Sequence, residues 1–304
     1  MIFIGASLVV LSSCETPETT AKDWIHLSSH NKEIPAPGPS RQQTASLVFD
    51  VDMNDSMDFI IGSRKSGPSV LFYRRIGTGW IKYTIEKETL PIEAGGAYAD
   101  IDRDGDPDIV FGADYSDNKM WWWENPFPEY DIEVPWKRHE IKASGSKQHH
   151  DQVIADFDGD GLLELVTWNQ GGKGEKAKLL IADIPQDPQA ANGWNFVEIF
   201  SSEVKCEGLA AVDVDLDGLT DIVGGGHWFK YVGGTRFEPK VIDDEQRFAR
   251  TAVGQLVPGG RPEVVFVIGD GYGPLKWYQW ADGRWRSDRL LDTDVDHGHS
   301  LQVA

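Results

Sequence analysis

The sequence predicts an all-β fold assembled from repeats of about fifty residues, the range in which propeller blades fall. Short apolar, β-branched and aromatic runs recur along the chain between turns rich in glycine, proline and aspartate. An acidic loop recurs between two such runs, starting at Asp50, Asp100, Asp156 and Asp213, with a degenerate copy at Gly254. A sustained helical period of apolar residues is absent from the sequence. The chain is long enough for one large domain with a full core.

The clearest copy of the loop, Asp100–Asp108, reads DIDRDGDPD. The alternate carboxylates of Asp100, Asp102 and Asp104 can converge with the closing Asp108 on one point, and such hard oxygen ligands suit Ca²⁺. Glycine follows Asp104 and supplies the backbone dihedrals of the turn. An EF-hand needs glutamate at the twelfth position, where this chain has Phe111. The loop is therefore a calcium candidate of another kind.

Three further loops repeat this spacing of acidic residues. Their predicted ligands are Asp156, Asp158, Asp160 and Glu164; Asp213, Asp215, Asp217 and Asp221; and Asp50, Asp52, Asn54 and Asp58. The last set lacks the glycine and is the weakest candidate. A fifth copy, Gly254–Glu263, keeps both flanking strands without the acidic series. We expect bound ions to stabilise the turn between two strands and to take no part in chemistry.

These loops and their flanking strands resemble the FG-GAP (VCBS) repeats of β-propellers, over nearly everything from Ser46 onwards. The resemblance implies calcium in the loops, four-stranded blades, and seven blades when the protein is complete. Residues 44–304 then form five blades and the start of a sixth, because Ala304 aligns with the residue that precedes each loop. We therefore expect a propeller that is truncated at its C-terminus.

The tryptophan run at residues 121–126, WWWENP, resembles the W-W-x-E-N-P segment of carbohydrate-active members of this family. Successive residues of a strand point to opposite faces of a sheet. The three tryptophans therefore cannot all face one side, and we expect at least one to lie exposed or near the rim.

The N-terminus carries a targeting pattern. Residues 1–13 contain a short apolar run and end in Leu11-Ser12-Ser13 before Cys14, which resembles the lipobox of bacterial lipoproteins. The resemblance implies lipidation of Cys14, a linker over residues 14–43, and a periplasmic or cell-surface protein that touches the membrane only through its lipid. The net charge of −20 argues against nucleic acid as a partner. Cys206 is the only other cysteine, so no intrachain disulfide is expected.

One face of the predicted disc collects polar residues. Each innermost strand ends at its acidic loop and the second strand returns, so residues after the second strand share a face with residues before the first. Five of the eight histidines fall in this set. The catalytic candidates are His150, His299, His227, Arg250 and Arg64, and the substrate-binding candidates are His149, His297, Glu207, Asp114, Asn169 and Gln170.

His150, Glu207 and His299 occupy one position of the repeat, six residues before a loop. We expect them at one depth around the channel, with His227 reaching the same mouth. Such a ring could bind a divalent metal, or hold one sugar between a base and an acid. The alternative, that each histidine only closes its own turn by a hydrogen bond, stays open, because the run His149-His150-Asp151 matches no zinc spacing.

The resemblance extends to the rhamnose–glucuronate lyases and the propeller of aldos-2-ulose dehydratase, and it implies a carbohydrate lyase or dehydratase. β-Elimination needs a base for a carbon-bound proton and a cation for the developing enolate. His150 or His299 could be the base, and Arg64, Arg250 or a histidine-bound metal could supply the cation. The alternative is a non-catalytic surface lipoprotein that binds glycan or protein through the same face. The sequence leaves both functions open.

Overall fold

The structure, a computed structural model, describes residues 25–191 and 193–303. The predicted signal peptide, Cys14 and the first part of the predicted linker lie outside the described residues. Five four-stranded antiparallel sheets follow one another along the chain, and we call them blades 1 to 5. The first strand begins at Arg41, five residues before the apolar run that predicted it.

The blades have the following strands. Blade 1 contains β1 (Arg41–Phe49), β2 (Asp58–Ser66), β3 (Val70–Ile76) and β4 (Gly79–Glu86). Blade 2 contains β5 (Ala97–Ala99), β6 (Asp108–Gly112), β7 (Met120–Glu124) and β8 (Lys137–Lys142). Blade 3 contains β9 (His149–Ala155), β10 (Glu164–Asn169), β11 (Ala177–Asp183) and β12 (Val197–Ser202).

Blade 4 contains β13 (Ala210–Val212), β14 (Asp221–Gly224), β15 (His227–Gly233) and β16 (Arg236–Val241). Blade 5 contains β17 (Ala249–Gly254), β18 (Glu263–Ile268), β20 (Lys276–Ala281) and β21 (Arg284–Arg289), and a separate ribbon pairs β19 (Tyr272–Gly273) with β22 (Val295–Asp296). Within the described part, the helical structure is one 3₁₀ turn at Asp244–Gln246, and no helix there is long and apolar enough to cross a membrane.

The first strand of each blade lies innermost. These strands contact one another across the blade boundaries, β5 with β9, β9 with β13 and β13 with β17. A central cavity of ≈ 220 Å³ is lined by residues at the starts of all five inner strands and by His299, Ser300 and Leu301. The blades therefore surround a common axis, and the predicted all-β propeller of four-stranded blades is confirmed. The number of blades in a complete propeller stays a prediction.

The core is divided into four apolar clusters, one at each interface between consecutive blades. Trp121 and Trp123 pack between blades 1 and 2, whereas Trp122 packs between blades 2 and 3. All three side chains are buried, so the expectation of an exposed tryptophan is wrong. Alternation along β7 does send them to opposite faces, but both faces of a propeller blade are covered by a neighbour.

Candidate functional site

Four charged side chains meet where blades 3, 4 and 5 approach the axis. His150 and Asp151 lie on β9, Glu207 precedes β13, and Arg250 lies on β17. Only 4% of His150, 3% of Glu207 and 8% of Arg250 is exposed. We call these four residues the mouth cluster. Burying four ionisable groups together is costly unless they pair, so their contacts decide what the cluster can do.

The imidazole of His150 is bonded on both sides. Its Nδ1 donates to Asp151 Oδ2 at 2.8 Å, and its Nε2 lies 3.1 Å from Glu207 Oε1. Both ring nitrogens therefore face carboxylate oxygens, which favours the doubly protonated imidazolium. Arg250 Nη1 donates to both oxygens of Asp151 at 3.1 Å, and Nη2 lies 3.5 Å from Glu207 Oε2. The guanidinium nitrogens lie 3.3 Å from the two ring nitrogens, so the two cationic groups lie side by side between the carboxylates.

The electrostatics of the cluster agree with these contacts. Burial alone would lower the pKa of His150, but the carboxylates of Asp151 and Glu207 outweigh it and the pKa is raised. Burial alone would raise the pKa of Asp151, yet His150 and Arg250 hold it at about 2. For Glu207 burial wins over the same two cations and its pKa is raised. The raised pKa of His150 and the lowered pKa of Asp151 both favour the charged form of this pair.

Asp151 occupies a backbone position that glycine takes in the neighbouring blades. It lies five residues before the Asp156 loop, as Gly95 lies before the Asp100 loop and Gly208 before the Asp213 loop. All three have positive φ, +50° at Asp151, +106° at Gly95 and +74° at Gly208. A non-glycine residue is strained there. Strain of this kind is retained where the side chain is needed, and here the carboxylate holds His150, Arg250 and the Gly208 amide, whose N–H donates to it at 2.8 Å.

The central cavity opens beside the cluster. Asp151 and Arg250 line it, together with polar residues such as Ser46, Gln152 and His299. Four buried polar atoms near it have no hydrogen-bond partner, and they are Glu207 Oε2, Arg250 Nε, Thr251 Oγ1 and Gln152 Oε1. Buried polar atoms are almost always satisfied, so a concentration of exceptions at one cavity marks a place where a polar ligand could bind.

His299 lines the same cavity in a different environment. About half of its side chain, 53%, is exposed, and its Nε2 lies 3.5 Å from Asp270 Oδ1. The ring centroid of His297 is 5.7 Å away, and His297 itself bonds to Asp296. His150 and His299 share a repeat position, but one is locked between carboxylates and the other is open to solvent. The two imidazoles therefore lie in different environments, and the expected ring around the channel stays a prediction.

Two predicted site histidines are packing residues. His227 donates from Nδ1 to Gly225 O at 2.7 Å and packs against Phe200 and Phe229, so its predicted place at the mouth is wrong. His149 is fully buried between blades 2 and 3, and burial lowers its pKa to about 3. Both contact the adjoining blade, His227 through Phe200 and His149 through Gly112 and Ala113, and repeat spacing alone does not reveal these contacts. The groups of three or more metal-binding side chains found among the described residues contain no histidine.

The remaining predicted residues fasten neighbouring blades. Arg64 pairs with Glu93 and lies 3.6 Å from Asp114 Oδ2. Asn169 donates from Nδ2 to the carbonyls of Ser146, Lys147 and Gln148. Gln170 exchanges two hydrogen bonds with the backbone of Cys206, at 2.6 and 3.2 Å. The contacts of Arg64 and Gln170 join the end of a second strand to the approach of the next blade, whereas Asn169 holds the segment that enters its own blade. Their predicted roles with a substrate stay predictions.

The acidic loops lie at the opposite ends of the inner strands. In each loop three carboxylate oxygens approach within 4.8 Å of one another. The groups are Asp50, Asp52 and Asp58; Asp100, Asp102 and Asp104; Asp156, Asp158 and Glu164; and Asp213, Asp215 and Asp221. Buried oxygens of Asp52, Asp100, Asp102, Asp106 and Asp215 have no hydrogen-bond partner. Converging hard oxygens with free lone pairs fit Ca²⁺, which these residues would hold as a fastening between two strands.

Asp108, Asp160 and Asp217 were predicted ligands but lie outside these carboxylate groups, whereas the role predicted for Asn54 stays a prediction. Asp108 instead accepts from the Ile101 and Asn125 amides at 3.1 and 2.8 Å, which ties its loop to β7. Burial and neighbouring carboxylates raise the pKa of Asp108 to about 8 and that of Asp106 to about 7. Asp106 was not predicted: it lies on the alternating pattern of its own loop, but the other three loops have Ser56, Leu162 and Leu219 at that position.

Comparison with known proteins gives a partial match. Residues 100–167, which contain the Asp100 and Asp156 loops, match the FG-GAP-like repeat. No curated protein matches the sequence. Among solved structures, the chain is similar to the V. cholerae biofilm matrix protein Bap1, with 16% identity and a TM-score of 0.49 over 83% of this chain and 40% of Bap1. It is also similar to the six-bladed propeller lectin of Aleuria aurantia, described with a novel mode of fucose recognition, with 13% identity and a TM-score of 0.45 over 84% of this chain and 80% of the lectin.

The chain thus spans less than half the length of Bap1. The similarity to these two structures is too low to carry an argument about function, which has to come from the residues of the mouth cluster and the loops. The chain carries an FG-GAP-like repeat in a β-propeller of four-stranded blades.

Proposed function

We propose that this chain is a carbohydrate-binding propeller whose ligand enters the central cavity and meets Arg250 and His299. The observation that carries the proposal is the mouth cluster itself, a buried charged group with unpartnered polar atoms beside a cavity on the axis. A network kept only for stability would be satisfied internally, or replaced by apolar packing at little cost. The positive φ of Asp151, at a position where the neighbouring blades have glycine, also supports the proposal.

The composition of the cavity supports a sugar as the ligand. Hydroxyl, amide, guanidinium and imidazole groups, together with the carboxylate of Asp151, surround a space of ≈ 220 Å³. This is smaller than the roughly 300–1,000 Å³ typical of drug-sized sites, so one sugar unit at the end of a glycan is the ligand we expect. Arginine recognises carboxylates with fixed geometry, which favours a uronate over a neutral sugar. The resemblance of the WWWENP run to carbohydrate-active propellers supports the same class.

Anchoring at a bacterial membrane belongs to the proposal as well. It is supported by the lipobox-like residues before Cys14, which place the propeller on a lipid anchor in the periplasm or at the cell surface. A protein displayed there would meet polysaccharide as a soluble glycan or as part of a matrix. The acidic loops would contribute calcium-dependent stability in this environment.

A second candidate function is β-elimination on the same ligand. The specific observation that favours it is His299, which lines the cavity with Arg250 while much of its ring stays accessible. His299 could remove the carbon-bound proton while Arg250 stabilises the enolate charge. His150 is unsuited to this role because both of its ring nitrogens are held by carboxylates. Of the two bases proposed from the sequence, His150 and His299, only His299 remains a candidate.

Calorimetric titration of the full chain with uronate-containing and neutral oligosaccharides tests the binding function. We expect wild type to bind the uronates, Arg250→Lys to weaken binding by about tenfold or more because it loses the planar fork, and His299→Ala to weaken it as well. His30→Ala, which replaces another exposed histidine on the segment before β1, is the matched control and should bind as wild type does. Lack of binding by wild type across the panel, or unchanged affinity in both cavity variants, would contradict the proposal.

The same mixtures distinguish the two candidate functions. Elimination creates an unsaturated uronate that absorbs in the ultraviolet, whereas binding alone leaves the spectrum unchanged. Product formation by wild type that is abolished in His299→Ala, with His30→Ala still active, would establish the lyase. Binding without product would establish the non-catalytic function.

A further inference from the structure

We infer that two of the four acidic loops are closed by a cation of the chain itself, so that calcium binds only at the Asp100 and Asp156 loops. The inference concerns the face opposite the mouth cluster and goes beyond the proposed carbohydrate site. The carboxylate groups of the four loops look equivalent when each is considered alone. They differ in what the third strand of each blade places against them.

In blade 4 the third strand places a lysine in the loop. Lys230 Nζ lies 2.5 Å from Asp215 Oδ2 and 2.5 Å from Asp217 Oδ2. Asp215 is one of the three converging carboxylates of that loop. The next residue, Tyr231, donates its backbone N–H to Asp221 Oδ1 at 2.8 Å, which fixes the strand against the loop. The ammonium is therefore held where it neutralises the carboxylates that would bind a metal ion.

Blade 1 repeats this arrangement with arginine. Arg74 pairs with Asp52, which occupies the same loop position as Asp215, two residues after the first aspartate. The following residue, Arg75, donates its backbone N–H to the closing carboxylate of Asp58 at 2.6 Å, as Tyr231 does to Asp221. Arg74 and Lys230 are thus equivalent positions of the repeat.

Blades 2 and 3 carry acidic residues at this position. Asp183 pairs directly with the closing Glu164 in the β10–β11 register, and Glu124 lies one residue beyond the Ile109–Trp123 pair, opposite Asp108. Among the described residues, no lysine, arginine or histidine forms an ion pair with the carboxylates of the Asp100 or Asp156 loop. In the Asp100 loop, buried oxygens of Asp100, Asp102 and Asp106 are also without any hydrogen-bond partner. These two loops need a cation from solution.

Blade 5 completes the correlation. Its loop has lost the acidic series, and the equivalent third-strand residue is the neutral Gln279, whose Nε2 lies 3.3 Å from Glu263 Oε1. The third-strand residue opposite the closing carboxylate therefore differs among the blades. It is a cation in blades 1 and 4, an acid in blades 2 and 3, and an amide in blade 5, whose loop lacks the acidic series. The sequence predicts a good calcium site at the Asp213 loop, whereas we infer that Lys230 occupies this loop instead of calcium.

Calcium bound to Asp215 would lie close to the ammonium of Lys230, and the two cations would repel each other. Binding there requires Lys230 to give up two charge-assisted hydrogen bonds. Removing the lysine charge should therefore create a site, whereas removing a carboxylate of this loop should change calcium binding little. The opposite holds for a carboxylate of the Asp100 loop.

Calcium titration of the metal-stripped full chain, followed by calorimetry and equilibrium dialysis, tests the inference. We expect two ions per wild-type chain and a third in Lys230→Met, with the affinity of that loop rising about tenfold or more. Lys240→Met is the matched control, because Lys240 lies on the adjacent strand β16 and pairs with Glu238 at 3.5 Å, away from the loop carboxylates. It should bind two ions. Three or more ions in wild type, or an unchanged count in Lys230→Met, would overturn the inference.

If Lys230→Met does not fold, a second pair of variants tests whether calcium binds at the Asp100 loop and not at the Asp213 loop. Asp102→Asn should lower the wild-type count from two ions to one, and Asp215→Asn should leave it at two. Loss of an ion in Asp215→Asn would overturn the inference. These readouts count bound calcium and do not depend on any activity at the mouth cluster, so the proposed function can fail while this inference stands, or the reverse.

Discussion

The two ends of strand β9 place the same kinds of charged residue in opposite situations. At its start, His150 and Asp151 are buried in a cluster whose cations and carboxylates are paired. At its end, about 20 Å away by strand geometry, the carboxylates of the Asp156 loop crowd together without a counter-charge from the chain. The first end pairs its charges with residues from three blades, whereas no cation of the described residues forms an ion pair at the second. A group of buried charges therefore does not by itself indicate a metal site. What distinguishes the two ends is whether residues of the chain supply the counter-charge.

The largest expected effect comes from removing the cation that the mouth cluster shares. Arg250→Ala leaves Asp151 and Glu207 with His150 as their only ion-pair partner among the described residues. We expect the free energy of unfolding to fall by about 3–5 kcal/mol, as it does when one member of a buried ion pair is removed. Urea denaturation measures it. The exposed pair Arg286–Asp282 is the control, since Arg286→Ala should cost at most about 1 kcal/mol. Equal costs for the two variants would contradict a tightly paired cluster.

Calcium removal should be the next largest effect, and it acts only on the loop end of the molecule. With free calcium a hundredfold above the dissociation constant, each open loop adds about 2.7 kcal/mol, and chelation removes it. Thermal unfolding with and without chelator measures the change. Asp158→Asn should shrink the difference, because Asp158 belongs to the open Asp156 loop. A chelator effect that is unchanged in this variant would contradict the assignment.

Replacing Asp151 by glycine tests why a strained residue is kept at the mouth. The change relieves the strain of a positive φ but removes the carboxylate that holds His150, Arg250 and the Gly208 amide. We expect a net loss of about 2 kcal/mol, since lost ion-pair contacts outweigh strain of this size. Chemical denaturation gives the value. A more stable variant would show that the carboxylate contributes less than the strain costs.

The smallest effect is a dependence on pH that belongs to the mouth cluster. The pKa of Asp151 is about 2 in the folded protein, below its unfolded value of about 3.9. Stability from this group is therefore fully present above about pH 4 and is lost as pH falls through about 2. Unfolding free energies of wild type and Asp151→Asn should differ by about 1–2 kcal/mol more at pH 5 than at pH 2. A constant difference between the two proteins would contradict a depressed pKa at Asp151.

The sequence was most informative where every blade repeats the same solution. The loops at Asp50, Asp100, Asp156 and Asp213, the flanking strands and the propeller fold follow from a pattern that occurs several times in one chain. His150, Glu207 and Arg250 were also assigned to one face correctly, because strand direction fixes the end of a blade on which a residue lies. The contacts that each side chain makes there could not be predicted from the repeat pattern.

The failures came from contacts between blades. His227 looked like a mouth residue, but Phe200 of the preceding blade covers it. The three tryptophans of β7 are all buried because each blade has two covered faces. Asp151 and Lys230 could have been found from the sequence by aligning the blades position by position, since one replaces a glycine and the other a residue that is acidic in blades 2 and 3. Their partners lie in other strands, so the consequences needed the structure.

We propose that a sugar binds beside His299, whereas His150 remains an imidazolium held by Asp151 and Glu207. Nitrogen-detected imidazole spectra of the full chain during titration with a uronate-containing oligosaccharide test it most directly, because each histidine reports separately. At about pH 7 we predict that both ring nitrogens of His150 are protonated, that His299 shifts as ligand is added, and that His30 does not move. A neutral His150, or ligand-induced shifts at His30 and His139 with none at His299, would contradict it.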